Sequence, residues 1–197
     1  MCGRYYISSD TADELEKLTG LVNSVLALKQ IHRTDIHPSD NAPVLLAAQG
    51  KLDCAWLKWG FPLSSDRKKE LVFNARCESV LEKPLFREGI RHRRIAVPAE
   101  GFYEWNRDKV KYTFREKQRK LLFLAGCCRQ YGDGEHFVIL TTGANASMLP
   151  VHDRMPLILE KNQVTDWILE SDRTESLLRQ LPPLLERNTE YEQLSFF

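Results

Sequence analysis

Cysteine stands at position 2, directly behind the initiator methionine. Removal of Met1 places two nucleophiles on one residue, a free α-amine and a thiol. Their reference pKa values are about 8 and about 8.5, so both are partly deprotonated near neutral pH. Such a 1,2-aminothiol has one special reaction. The amine condenses with an aldehyde to an imine, the thiol adds to the imine carbon, and a five-membered thiazolidine closes. A cysteine inside the chain cannot close that ring, because its nitrogen is already an amide. Position alone also allows the plainer reading, in which Cys2 is only a small residue that follows Met1.

Four more side chains sit where chemistry is possible. Asn74 opens Asn74-Ala75-Arg76-Cys77-Glu78 behind the apolar run Leu71–Phe73. It suits a helix cap or turn as well as a site. Arg76 can grip a phosphate through its planar fork, or serve in a surface ion pair. Glu104 lies in Gly101-Phe102-Tyr103-Glu104-Trp105. In a strand it shares a face with Phe102, while Tyr103 and Trp105 take the other. A carboxylate among three aromatics is expected to be desolvated, which raises its pKa and suits acid–base work; an edge-strand charge facing water is the alternative. His152 lies between Pro150 and Pro156 in L-P-V-H-D-R-M-P. The prolines restrict the backbone around an imidazole, the side chain best suited to moving protons near pH 7. Taken one at a time, none of these residues outranks its ordinary structural use.

Positioning them is the task of an ordinary soluble chain. It has 197 residues, 43% hydrophobic and 28% charged, enough for one domain with a sizeable core. No run is long and apolar enough to span a membrane, and M-C-G-R-Y-Y-I-S-S-D is not a signal sequence. The expectation is a cytoplasmic protein, nucleoid-associated in a bacterium, with no membrane partner. The five cysteines are odd in number and form no C-x-x-C, and the five histidines form no metal signature. Neither a disulfide framework, nor a metal site, nor a cofactor is expected. Net charge is +1, yet residues 87–120 carry eleven Lys and Arg against five Asp and Glu, while 160–197 carry four against eight. The basic middle fits a polyanion footprint or a solvated face.

The pattern along the chain predicts a strand over 3–7 and a helix capped at Ser9-Asp10. A loop is expected over 31–42, then a hairpin of 44–48 and 52–59 around Gln49-Gly50. A short strand at 71–73 precedes a helical piece over 77–91 that Pro84 interrupts. Strands follow at 95–97, 101–105, 111–115, 121–127, 137–142 and 157–160, with helices at 162–170 and 173–180. Cys127 and Cys128 point to opposite faces of their strand and are expected to be buried. Strands dominate without βαβ alternation, so the fold class is α+β, with a mainly antiparallel, barrel-like sheet and flanking helices.

Taken together and in order, M-C-G-R-Y, N-A-R-x-E at 74–78, P-A-E-G-F-Y-E-W at 98–105 and H-D-R-M-P at 152–156 resemble the SOS-response-associated peptidase (SRAP) family. Trp59-Gly60-Phe61-Pro62 is similar to that family's W-G-x-x-P element. The resemblance runs over residues 2–160 and implies a single SRAP-like domain over 1–197. It implies a sensor of abasic sites in single-stranded DNA, whose ring-opened sugar exposes an aldehyde that the mature Cys2 captures as a thiazolidine crosslink. It assigns proton transfer to Glu104, ring opening and proton transfer at the sugar oxygen to His152, and positioning to Asn74. Gly3, Arg4, Arg76 and Trp59 would contact the DNA. Removal of Met1 would be autocatalytic, which accounts for the word peptidase, or done by an aminopeptidase. A monomer is expected.

The chain departs from the family in three places. No tryptophan pair follows Trp59-Gly60-Phe61-Pro62, where Leu63-Ser64-Ser65-Asp66 stands instead; Trp56, Trp59 or Phe61 are possible substitutes. Asp35-Ile36-His37-Pro38 replaces a Y-N-I-A-P-type loop, and no V-x-N-type element is recognisable near the C-terminus. Two other functions share Cys2. An N-terminal-nucleophile amidohydrolase of the glutaminase kind would use the Cys2 amine as base, although the chain has no Asn-Gly dipeptide for its oxyanion hole. A module that binds single strands without crosslinking would keep the fold and lack the chemistry.

Overall fold

The computed structural model describes residues 2–20, 34–63, 70–117 and 121–189. In chain order the elements are β1 (Tyr5–Ile7), α1 (Ser9–Thr19), β2 (Thr34–Ile36), β3 (Asn41–Ala48), β4 (Lys51–Trp59), β5 (Phe61–Pro62), β6 (Leu71–Val72) and β7 (Asn74–Arg76). They continue with α2 (Pro84–His92), β8 (Arg94–Ala99), β9 (Gly101–Trp105), β10 (Lys111–Arg115), β11 (Leu122–Tyr131), β12 (Gly134–Gly143), β13 (Arg154–Pro156) and β14 (Ile158–Leu159). Last come α3 (Gln163–Leu169), α4 (Thr174–Leu178) and β15 (Glu186–Thr189).

Five strands close into a barrel in the order β12, β4, β3, β8, β11 and back to β12. Every step is antiparallel except β12 to β4, which is parallel. The expected α+β class with a mainly antiparallel, barrel-like sheet is thus the observed one. The β3–β4 hairpin turns at Gln49 and Gly50, with φ of 51° and 74°. Positive φ at both central residues is the backbone that matches the twist of paired strands. β8 is buried along its whole length, and Cys127 and Cys128 of β11 are buried on both of its faces. All five cysteines are free and buried.

A second antiparallel sheet runs β15, β10, β9, β1, β2. Gly101 lets its centre close up: a Cβ there would stand 2.5 Å from the Tyr6 hydroxyl and 2.6 Å from Phe114 O. β12 links this arrangement to the site. Its first half pairs with β11 and β4, while its second half carries β7 on one edge and β13 on the other.

Two expectations change, and one strand lies where none was expected. The segment 31–42 is no loop where it is described: Thr34–Ile36 forms β2 by pairing with β1, a partner distant in sequence. Residues 77–91 are a single 3-10 turn at Cys77–Ser79 and then α2, which Pro84 starts and does not interrupt. The first turn of a helix has no use for the N–H that proline lacks. Finally, the polar run Glu186–Thr189 is a strand because β10 is there to receive it, with Arg115 and Glu186 paired at 3.1 Å. Among the described residues no helix is long and apolar enough to cross a membrane.

Candidate active site

Residues 2–4 continue the line of β1 alongside β9. The Arg4 carbonyl accepts the Tyr103 N–H at 2.9 Å, one residue from Glu104. Alternation along β9 turns Phe102 and Glu104 to the interior, and Glu104 is 6% exposed. Cys2 is 1% exposed beside it. Burial pushes the Cys2 thiol up to about 12, and the negative charge of Glu104 pushes in the same direction. In the full-length chain the Cys2 nitrogen is still an amide to Met1. With Met1 in place the thiol is therefore neutral and closed off at physiological pH.

Asn74 holds the other side of Cys2. Its Nδ2 donates to the Cys2 carbonyl at 2.9 Å. Its Oδ1 is buried with no hydrogen-bond partner among the described residues. Asn74 is not a helix cap: it begins β7, whose parallel pairing to β12 sets Asn74 opposite Ile139. The preceding carbonyl, Phe73 O, is fastened twice, by the Trp59 indole N–H at 2.9 Å and by Ile139 N at 3.1 Å. A buried side-chain acceptor left open is costly, so Asn74 Oδ1 is a ready place for an incoming donor. Arg76 ends β7 with an exposed side chain, and it makes no ion pair among the described residues.

His152 comes from the loop between β12 and β13. Its Nδ1 lies 2.9 Å from the Arg154 backbone N and 3.0 Å from Asp153 Oδ1. These two contacts exclude each other. The backbone N–H is an obligatory donor, so in the neutral ring Nδ1 accepts and the proton sits on Nε2; a proton on Nδ1 would turn to Asp153 instead. The ring is 26% exposed and borders a groove of about 660 Å³ lined by Trp105 to Asp108 on one side and Leu149 to Asp153 on the other. Trp105, at the edge of that groove, follows Glu104 in β9, and its backbone N–H donates to Glu104 Oε1 at 3.3 Å.

One ion pair ties the two motif segments together. Arg154 meets Glu78 with both terminal nitrogens, at 2.6 and 2.9 Å, and also donates to Thr141 O at 2.6 Å. Glu78 lies two residues beyond Arg76, and Arg154 two residues beyond His152. The pairing bridges the 3-10 turn after β7 to β13 across β12. Both residues stand inside N-A-R-C-E and H-D-R-M-P, but nothing in either motif alone signals that they are partners.

The structure brings Cys2, Asn74 and Glu104 into one buried cluster, with Gly3 half-buried and Arg4 beside it, and places His152 at the groove. It corrects Trp59, which was expected to touch DNA. Trp59 is fully buried, lies 6° from parallel with Phe137 and spends its N–H on Phe73. No base can reach it; it is a core residue that holds the backbone before Asn74. Phe61 is equally buried. Trp56 and Trp105 are the tryptophans with exposed rings, at 38% and 36%. Residues 64–66, where the family's tryptophan pair is missing, lie outside the described residues. The basic stretch divides: Arg94 is buried under carbonyls, Arg93 pairs with Glu135, and Arg107 borders the groove.

The sequence profile of the SOS response associated peptidase (SRAP) family matches residues 1–195. The chain is 30% identical over 196 residues to the abasic site processing protein YoqW of Bacillus subtilis, covering 91% of this chain and 87% of that protein. It is 25% identical over 177 residues to the abasic site processing protein YedK of Escherichia coli, covering 85% and 79%. A crystal structure of a protein from Bacteroides thetaiotaomicron shares the fold with a TM-score of 0.78, at 21% identity over 95% of this chain and 91% of that one. The extent of the profile match and the similarity to YoqW agree with the ordered motifs: this chain belongs to the SRAP family.

Proposed function

We propose that the chain processes abasic sites in single-stranded DNA, and that the mature Cys2 captures the ring-opened sugar as a thiazolidine. The observation that carries this reading is the buried cluster at Cys2, where Asn74 holds the carbonyl and the negative charge of Glu104 acts on the thiol. Hydrolysis of the Met1–Cys2 bond consumes one water and yields the α-amine. That amine appears beside Glu104, which can take its proton, and near Asn74 Oδ1, which is open to accept a hydrogen bond.

The amine nitrogen then attacks the aldehyde carbon of the sugar. Loss of water leaves an imine, with Glu104 returning a proton to the departing hydroxyl. The Cys2 sulfur adds to the imine carbon, and its proton passes to the nitrogen. One C–N and one C–S bond have formed, and nothing is oxidised or reduced. His152, with a proton on Nε2 at the groove, is placed to donate to the sugar ring oxygen and so promote opening to the aldehyde. The groove beside Trp105 and Arg107 takes the strand, and the protein acts as a monomer.

The test is direct. Incubation with an oligonucleotide carrying one abasic site should give a denaturation-resistant band whose mass is that of protein without Met1 plus DNA less one water. Cys2→Ala and retention of Met1 should each abolish it. A band that survives both changes would overturn the mechanism.

A further inference from the structure

Tyr5, three residues from Cys2, carries a polar group that the fold does not use. The residue is fully buried, and its hydroxyl makes no hydrogen bond among the described residues. A buried hydroxyl without a partner is costly, and phenylalanine would fill the same space without that cost. The Tyr5 ring packs against Trp59, with centroids 5.2 Å apart and the planes at 56°. Trp59 in turn donates to Phe73 O, and the next residue is Asn74, whose amide holds the Cys2 carbonyl. Tyr5 thus belongs to the wall of the Cys2 site, through the chain on one side and through Trp59 on the other.

Strand register sets the way it faces. β1 places Tyr5 opposite Phe102 of β9, so both point to the inner side that also carries Glu104. The Tyr103 N–H on Arg4 O continues that register toward Cys2. Tyr5 and Glu104 are then diagonal neighbours across the two strands, positions that stand roughly 7–8 Å apart. Cys2 is coupled to both. The negative charge of Glu104 acts on the thiol, and a charge on Cys2 acts in turn on Tyr5. Burial first, then the charges of Cys2 and Asp40, hold the Tyr5 phenol well above its ordinary range. Tyr5 therefore keeps its proton and is available as a donor.

We propose that Tyr5 is a further catalytic residue of this site, whose hydroxyl donates a hydrogen bond to the Cys2 sulfur as negative charge gathers there during ring closure. This deepens the reading of Cys2 as the capturing residue and rests on it. In that step the sulfur electron pair forms the C–S bond to the imine carbon. The C=N π pair moves to nitrogen, and the thiol proton ends on that nitrogen. Tyr5 keeps its own proton throughout, and nothing is oxidised or reduced. A donor already in place, with no other bond to give up, stabilises developing charge without rearrangement. The carboxylate of Glu104 then serves the amine and the imine, while the hydroxyl of Tyr5 serves the sulfur.

The experiment compares the mature wild-type protein with Tyr5→Phe. The substrates are an oligonucleotide with one abasic site and, separately, glycolaldehyde, read by mass at the N-terminal peptide. Each reaction is run with and without cyanoborohydride, which traps the imine before the ring closes. Tyr5→Phe should trap the imine at the wild-type rate and close the thiazolidine about 10- to 100-fold more slowly, the loss of one hydrogen bond to a charged atom. Its melting temperature should equal or exceed that of the wild type, because the lost hydroxyl had no partner. Closure at the wild-type rate, or a clearly lower melting temperature, overturns the proposal. So does an equal loss of trapping and closure, which makes Tyr5 a structural residue only. The two aldehydes separate this proposal from the reading of the site. If Tyr5→Phe crosslinks the abasic oligonucleotide as fast as the wild type, the role of Tyr5 alone fails. If closure on glycolaldehyde slows while no protein crosslinks the oligonucleotide, Tyr5 stands and the abasic-site reading falls. If the wild-type protein closes a ring on neither aldehyde, both fall.

Discussion

The Cys2 thiol behind an intact Met1 offers the sharpest quantitative test. With Met1 in place, burial and then Glu104 raise the Cys2 thiol to about 12, against an ordinary value of about 8.5. At pH 8 the thiolate fraction falls from about 0.24 to about 10⁻⁴, roughly a 2,000-fold loss. A more basic thiolate is a better nucleophile, with a Brønsted coefficient of about 0.4–0.5, which returns about 25- to 50-fold over that interval. The net expectation is alkylation slower by about 40- to 80-fold, and slower still because the sulfur is 1% exposed. The perturbation is an uncleaved N-terminal extension ahead of Met1, its presence checked by intact mass. The assay is iodoacetamide labelling read at the Cys2 peptide, native and in urea. The native rate should keep climbing about tenfold per pH unit from 8 to 11, while the unfolded rate levels above about 9. Removing Glu104's charge must act in opposite directions on two readouts. Glu104→Gln should label Cys2 faster in the extended chain, because a negative neighbour is gone, and should lose the crosslink in the mature one. Native labelling of the extended chain at the unfolded rate, or a plateau near pH 9, would refute the closed and protonated thiol.

Stability should fall at alkaline pH for the same reason. Cys54 and Cys77 are also raised to about 12 by burial, so the folded state holds their protons where the unfolded chain releases them. Their contribution is intact below about 8.5 and is lost as pH rises toward 12, by about 1.4 kcal/mol per thiol per pH unit; urea midpoints at pH 7.5 and 9.5 test it, and Cys77→Ala should flatten the dependence. Trp105→Ala should weaken binding of a single-stranded oligonucleotide by about 1–3 kcal/mol, if its exposed ring stacks on a base, with the melting temperature nearly unchanged. Trp59→Ala should instead destabilise the fold by about 3–5 kcal/mol, and a reversal of these two outcomes would show the tryptophan assignments to be wrong. Arg94, 5% exposed, donates to the carbonyls of Ile90, Arg91 and Trp167 near the ends of α2 and α3; Arg94→Met should cost about 2–4 kcal/mol by equilibrium unfolding, because those carbonyls lose their charged donor.

Local features of the fold were legible where the chemistry is local. Gln49-Gly50 between apolar runs specifies a hairpin turn, and Gly101–Trp105 alternates as a strand whatever its neighbours. What was not legible depends on partners far along the chain. Thr34–Ile36 and Glu186–Thr189 have weak patterns of their own, and become strands because β1 and β10 offer unpaired edges. Pro84 reads as a helix breaker until the helix is known to begin there. At the site, the side chains near Cys2 were visible as types: a carboxylate among aromatics, an amide behind an apolar strand. The Tyr5 hydroxyl was not. Tyr5 reads as one more apolar strand residue, and only the register of β1 with β9 sets it on the face that carries Glu104. Trp59 misleads for a related reason, since a tryptophan in a turn-rich stretch serves stacking on DNA and core packing equally well.

On the proposed mechanism, burial explains why the site would be assembled with Met1 still in place. A reactive aminothiol left open would condense with any small aldehyde. Here the carbonyl of Cys2 is held by Asn74, the thiol is closed and neutral, and the nitrogen is still an amide. Asn74 and Glu104 are supplied by β7 and β9, elements of different sheets, so their approach to Cys2 requires that both sheets have formed. The Arg154–Glu78 pair adds to that order by fastening β13 to the segment after β7 across β12. On that mechanism, the one bond whose hydrolysis would create the nucleophile has its proposed proton-transfer groups around it only after folding is complete. Self-removal of Met1 by such a site would be gated by the fold itself, and an unfolded chain would stay inert.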